Sequence, residues 1–69
     1  MVRMMRIGDV VDVTGLSPTS IWRREREGQF PRRRRVGPQA VAWRSDEVEA
    51  WIEGLPVVED DVPASHPAG

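Results

Sequence analysis

The chain contains 69 residues and no cysteine, which allows one small domain and excludes disulfides and cysteine-based metal or nucleophile chemistry. Its net charge of −1 averages two opposite parts: residues 1–44 carry ten arginines against four acids, whereas residues 45–69 carry seven acids and no basic residue. This asymmetry is typical of a protein with one surface that meets a polyanion. No apolar run has the length of a membrane span or of a signal-peptide core, so we expect no membrane partner and an intracellular, reducing compartment.

The first predicted helix covers residues 7–14. Its buried stripe follows the helical spacing i, i+3, i+4, i+7 and consists of Ile7, Val10, Val11 and Thr14. Gly15 follows directly and suits the left-handed backbone conformation that ends many helices. We therefore expect a short helix that ends in a tight turn.

The second predicted helix begins after Ser17, a good N-cap, with Pro18 at the first helical position, where its missing N–H is no loss. We expect it to run to about Glu27. Its apolar residues are few, with only Ile21 and Trp22 inside the helix. A helix with so narrow a buried stripe presents most of its surface to a polar environment.

The sequence RRRRVGPQAVAWR then predicts a strand, a turn and a second strand. Gly37 and Pro38 mark the turn. In the second strand Val41 and Trp43 alternate with Ala42 and Arg44, which indicates a strand with one buried face. Because side chains in a strand alternate between its two faces, we expect two of the arginines Arg32–Arg35 to point toward a phosphate backbone and two to point away.

The third predicted helix follows Ser45, which we expect to be its N-cap. Its core stripe again has helical spacing and consists of Val48, Trp51, Ile52 and Leu55. Residues 56–69 are rich in proline and acidic residues and lack a periodic pattern, so we expect a disordered acidic tail.

The order helix, tight turn, helix, hairpin, helix predicts a winged helix-turn-helix: a mainly α fold with a small two-stranded β-hairpin, in one domain over residues 1–55. The residues expected in the core are Ile21, Phe30, Trp43, Val48, Trp51 and Ile52.

Residues 5–54 resemble the AlpA family of prophage-type transcriptional regulators, small winged-helix proteins related to the MerR DNA-binding domain and to phage excisionases. The matching motifs are TGLS at 14–17, Ile21-Trp22-Arg23, Gly28 with Phe30-Pro31, the VGP turn, Trp43-Arg44 and EVEAWI at 47–52. The resemblance implies DNA binding near phage attachment sites or promoters, without enzymatic activity. Family members usually carry apolar residues where Arg24 and Glu25 stand, which implies a second helix that is less firmly packed or more charged on its outer face.

In a helix-turn-helix the second helix enters the major groove and its N-terminal residues meet the base edges. The residues that we expect to contact DNA from this helix are Ser17, Pro18, Thr19, Ser20, Trp22, Arg23, Arg24 and Arg26. Arg23 could make the bidentate contact to guanine. The wing and backbone contacts are expected from Arg32, Arg33, Arg34, Arg35, Gly37, Pro38 and Gln39. The plainer alternatives are a solvated helix face, a solvated basic loop and, for Trp22, core packing.

The sequence therefore predicts a sequence-specific duplex-DNA-binding regulator of prophage or mobile-element genes, in the bacterial cytoplasm. One alternative is an excisionase that bends attachment-site DNA, and another is a protein-interaction module without DNA binding. We expect further copies of the chain on adjacent DNA sites. The single histidine, His66, lies in the predicted tail, and no metal-ligand cluster or phosphate-binding glycine loop is present, so we expect no catalysis, no metal, no cofactor and no small-molecule substrate.

Overall fold

A computed structural model describes residues 1–58 as three helices and a three-stranded antiparallel sheet. The elements are β1 (Met4–Met5), α1 (Ile7–Thr14), α2 (Pro18–Arg26), β2 (Arg34–Gly37), β3 (Ala40–Arg44) and α3 (Ser45–Glu53). The mainly helical fold with a hairpin is confirmed, and it is compatible with a winged helix-turn-helix. Most of the predicted tail, residues 59–69, lies outside the described residues. Within residues 1–58 every helix is too short or too polar to cross a membrane.

The turn between α1 and α2 forms as the sequence predicts. Gly15 has φ of 76°, and its N–H donates to the carbonyl of Val11 at 2.8 Å. A positive φ is costly for residues with a Cβ, so glycine ends α1 without strain. Ser17 caps α2, because its Oγ accepts the Ser20 N–H at 3.1 Å, and Pro18 is the first helical residue. These local interactions fix the sharp bend between the two helices.

The sheet has the strand order β1-β3-β2, so β3 is the central strand. The sequence pattern gave no sign of β1, whose Met5 pairs with Trp43 and is only 3% exposed. The prediction of one buried face on β3 is wrong at Ala42, which is as fully buried as Trp43. Successive side chains of a strand point to opposite faces, so the sheet is covered on both faces at this part of β3.

The arginine run is only partly in the sheet. The prediction of a strand over Arg32–Arg35 is wrong for its first half, since β2 begins at Arg34. The backbone N–H of Arg33 donates to the Glu25 carboxylate at 2.8 Å and is therefore not available to a strand partner. Farther along, Arg35 pairs with Val41 and Gly37 pairs with Ala40, which leaves the residue between them in a β-bulge.

The start and end of α3 also differ from the prediction. Ser45 is the first helical residue and Arg44 takes the N-cap position. The Ser45 hydroxyl accepts the Arg3 N–H at 2.9 Å instead of capping the helix, and the Ser45 N–H donates to the Arg3 carbonyl at 2.8 Å. These bonds tie α3 to the N-terminal segment that contains β1. Leu55 lies beyond α3 and is 46% exposed, so it is not part of the core.

The core lies between the helices and the sheet, and its buried members are Met5, Val10, Ile21, Phe30, Trp43 and Val48. Trp51 and Ile52 are half-buried and pack against it. Full burial of one such side chain contributes about 1.5–3 kcal/mol. The indole N–H of Trp43 donates to the Pro31 carbonyl at 2.9 Å, and that of Trp51 donates to the Gln29 carbonyl at 2.8 Å. The segment after α2 is thus held to the core by both tryptophans.

Candidate nucleic-acid interface

The outward face of α2 is a stripe of four residues with helical spacing: Thr19, Trp22, Arg23 and Arg26. Three of them are exposed and Trp22 is half-buried. The opposite face is buried through Ile21 and Glu25. The helix therefore turns a hydroxyl and two guanidinium groups away from the core, whereas Trp22 lies at the edge of this face and packs against the core.

The other predicted α2 residues have different surroundings. The Ser17 hydroxyl is occupied with the cap, and its side chain also bonds the Ser20 hydroxyl at 3.2 Å. Pro18 is exposed at the start of the helix. Arg24 lies outside the outward stripe and is half-buried, with its Nε buried and without a hydrogen-bond partner among residues 1–58. Of the α2 arginines, Arg24 is the one that is directed partly inward.

Glu25 also belongs to this region, although no sequence pattern placed it among the expected site residues, and its side chain is only 6% exposed. One carboxylate oxygen accepts the Arg33 backbone N–H, and the other accepts the Arg33 guanidinium in an ion pair. The departure from the family pattern at this position therefore adds charge to the inner face of α2, not to its outer face. The position of Glu25 four residues after the core residue Ile21 is the sequence signal that could have indicated its burial.

Trp22 connects this ion pair to the core. The Arg33 guanidinium carbon lies 5.1 Å from the centroid of the Trp22 ring, in a cation–π arrangement. The other neighbour of Trp22 is Trp43, with ring centroids 5.5 Å apart. Trp22 is thus a packing residue that also supports an arginine at the surface.

The other arginines of the run differ in whether they have a carboxylate partner. Arg34 forms an ion pair with Glu47 on α3 at 2.5 Å, with a second, longer bond of 3.4 Å. Arg35 donates to the Pro38 carbonyl at 3.2 Å. Neither Arg32 nor Arg35 makes an ion pair within residues 1–58. The middle two arginines hold elements together, whereas the outer two keep their charge exposed.

A third ion pair stands at the junction of β3 and α3. The Arg44 guanidinium makes two bonds to the Asp46 carboxylate, at 3.0 and 2.8 Å. The hydrogen bond from Arg44 lowers the pKa of Asp46, and the same contact raises the pKa of Arg44. The two side chains are 39% and 46% exposed, so solvent reaches the pair.

The tip of the wing is small and open. Pro38 and Gln39 are exposed and Gly37 is half-buried. The bond from Arg35 to the Pro38 carbonyl ties the tip to β2.

The arginines of α2 and of the run meet at one surface. A notch of about 440 Å³ is bounded by Trp22, Glu25, Arg26, Arg32 and Arg33. A neighbouring depression of about 200 Å³ shares Arg32 and Arg33 and extends to Arg35. Arg26 of α2 thus shares one continuous surface with Arg32, Arg33 and Arg35 of the run.

These features define a small winged helix-turn-helix protein whose second helix and wing share a basic surface. The chain belongs to the AlpA family, since the family model described as "Prophage CP4-57 regulatory protein (AlpA)" matches residues 3–54. It is also 38% identical over 52 residues to the "Uncharacterized protein ORF88" of Enterobacteria phage P4. That match covers 75% of this chain and 59% of the phage protein's length. The family is a phage regulatory one. Within residues 1–58 no cluster of three or more acidic or histidine side chains could hold a metal ion.

Proposed function

We propose that this chain is a sequence-specific duplex-DNA-binding regulator of prophage or mobile-element genes. The observation that carries the proposal is the outward stripe of α2, which joins the basic surface of the wing at the notch. A narrow buried face on α2 leaves Thr19, Arg23 and Arg26 available to a ligand. Membership of a phage regulatory family gives independent support.

In the proposed complex α2 lies in the major groove of the DNA, with its N-terminal residues toward the base edges. Thr19 offers a hydroxyl that can bond a base or a phosphate. Arg23 is exposed and has no carboxylate partner among residues 1–58, so its planar fork is free to bond O6 and N7 of one guanine. Ser17, Pro18 and Ser20 approach the backbone at the start of the helix.

The wing and the arginine run contact the phosphate backbone in this proposal. Arg32 and Arg35 supply exposed charge, and the tip formed by Gly37, Pro38 and Gln39 meets the minor groove. Arg33 and Arg34 stay near the same surface but are held by carboxylates. Phosphate contacts fix the register of the protein on DNA, whereas the base contacts of α2 supply the sequence preference.

A single module of this size buries about 600–1,000 Å² on DNA, which is modest for a regulator. We therefore propose that the chain is a monomer in solution and that several copies bind adjacent sites on the DNA. In this proposal the chain binds DNA in the cytoplasm of the bacterial host cell. Neither a cofactor nor a small-molecule substrate has a part in it.

The direct test is a footprint of the purified chain on the DNA that flanks its own gene, with random-sequence DNA as competitor. We expect one or more protected sites of about one helical turn each. A circular-permutation bending gel on the protected fragment then distinguishes a regulator from an excisionase, which bends its site strongly. The absence of binding to any duplex at low salt would contradict the proposal and would favour a protein-interaction module.

A further inference from the structure

The notch between α2 and the arginine run differs from the neighbouring depression in having the ring of Trp22 and the guanidinium group of Arg26 in its lining. Three guanidinium groups, those of Arg26, Arg32 and Arg33, border it together with one carboxylate, that of Glu25. The formal charge of these four groups together is therefore +2. The carboxylate is buried at the bottom, whereas Arg26 and Arg32 are exposed at the rim. An anion that enters the notch therefore meets the guanidinium groups before the carboxylate.

Arg33 is held in one orientation inside the notch. Glu25 bonds both its backbone N–H and its guanidinium, and Trp22 lies against the guanidinium, at 5.1 Å between the carbon and the ring centroid. Even so, 44% of the Arg33 side chain is exposed, so donors of the guanidinium remain accessible. A guanidinium fixed in advance loses less side-chain entropy when it binds a ligand than a mobile one.

Geometry and charge together indicate the ligand. A doubly positive notch that is lined by planar donors suits a tetrahedral oxyanion, because guanidinium groups bond phosphate oxygens in pairs. The Trp22 ring forms one wall of the notch, so the part of the ligand that faces this ring must be small. The notch also continues the outward stripe of α2 through Arg26, so its occupant lies next to the proposed groove contacts.

We propose that the notch binds one backbone phosphodiester of the DNA. Arg26 and Arg32 are its direct ligands, Arg33 donates from its exposed edge, and Glu25 is a positioning residue that acts through Arg33. This inference rests on the proposed DNA binding and adds to it the phosphate subsite and the role of Glu25. It assigns a favourable part in DNA binding to an acidic residue, which simple electrostatics would not predict.

The first test replaces Glu25 with glutamine. Electrostatics alone predicts tighter DNA binding after the loss of a negative charge. Our proposal predicts the reverse, a loss of about three- to tenfold in affinity, because glutamine offers one acceptor where Arg33 uses two. Glu27→Gln is the matched control: it removes the same charge one helical step from Arg23, and we expect unchanged or about twofold tighter binding. Affinities are measured by fluorescence anisotropy on a random-sequence duplex.

A Glu25→Gln chain that binds as tightly as the parent, or more tightly, overturns the proposal. If that variant does not fold, as judged by circular dichroism, the exposed ligands decide the matter. Arg26→Gln and Arg32→Gln are each expected to reduce the slope of log affinity against log salt by about 0.9, the value for one phosphate contact. Between about 50 and 200 mM salt, this difference changes the ratio of parent to variant affinity by about 3.5-fold.

Arg3→Gln provides the control for those two variants, because Arg3 is exposed and bonds Ser45 only through its backbone. We expect it to leave the slope unchanged. An unchanged slope for Arg26→Gln or for Arg32→Gln overturns the phosphodiester subsite while DNA binding by the parent chain persists. Failure of the parent chain to bind duplex DNA would instead contradict the proposed function.

Discussion

The four consecutive arginines consist of two pairs with different surroundings. Arg33 and Arg34 reach carboxylates on α2 and α3 and join the wing to both helices. Arg32 and Arg35 have no such partner among residues 1–58 and keep their charge at the surface. The chemistry of the four side chains is identical, so the difference comes only from what the fold brings beside each one. The four arginines therefore differ in their partners although they lie along one surface.

The largest expected effect comes from removing the ring that supports Arg33. Trp22→Ala deletes the ring that lies between Arg33 and the Trp43 core. A buried Trp→Ala change costs about 3–5 kcal/mol, and for half-buried Trp22 we expect about 2–3 kcal/mol. Urea denaturation gives the free energy of unfolding. A loss below about 0.5 kcal/mol, the range of ordinary surface changes, would mean that Trp22 does not support this region.

The next largest effect is a loss of sequence preference, which distinguishes contacts to bases from contacts to the DNA backbone. Arg23→Ala should reduce the preference for the protected site over random DNA by about 1–3 kcal/mol and leave the affinity for random DNA less affected. Competition binding with both duplexes measures the preference. Arg35→Ala is the comparison, because a backbone contact should weaken both affinities about equally. An equal loss on both duplexes for Arg23→Ala would assign it to the backbone.

The contrast between the two pairs is sharpened by single changes at neighbouring positions. Arg34→Ala breaks a partly exposed ion pair with Glu47, so we expect a stability loss of about 0.2–1 kcal/mol. Arg35→Ala breaks no ion pair within residues 1–58 and should change stability by less than Arg34→Ala does, while it lowers the salt dependence of DNA binding. Thermal unfolding and salt titrations of both variants provide the comparison. The opposite ranking in stability would mean that the pairs do not differ as described.

The smallest effect concerns the exposed pair of Arg44 and Asp46. Because the folded protein lowers the pKa of Asp46, the pair stabilises the fold above the unfolded pKa of about 3.9, and this stabilisation is lost as the pH falls through the lower, folded value. Asp46→Asn should therefore be less stable than the parent near neutral pH, and the difference should shrink below about pH 4. Denaturation curves at several pH values test this. A difference that is constant with pH would exclude ionisation as its origin.

Local rules account for most of the helical part of the fold. Gly15 and Ser17 define the turn before any tertiary contact is considered, and the spacing of Val48, Trp51 and Ile52 identifies the buried face of α3. Stop signals and periodicity act over a few residues, so a sequence can reveal them directly.

The features that the sequence did not reveal depend on partners that are distant along the chain. β1 contains two residues and exists because Met4 and Met5 pair with β3, about forty residues later. The contacts of Glu25 with Arg33 and of Arg34 with Glu47 join different elements and have no local pattern. Ser45 is likewise diverted from capping by the backbone of Arg3. In each case a contact with a residue distant in the sequence determined the role of the residue, and the neighbouring sequence did not.

The central claim is that the exposed arginines of α2 and the wing bind the phosphates of duplex DNA. It is tested most directly by measuring the affinity for a random-sequence duplex across a range of salt concentrations. Contact with about five phosphates predicts a slope of log affinity against log salt of about −4 to −5. An affinity that does not change with salt, or the absence of binding at low salt, would contradict the account.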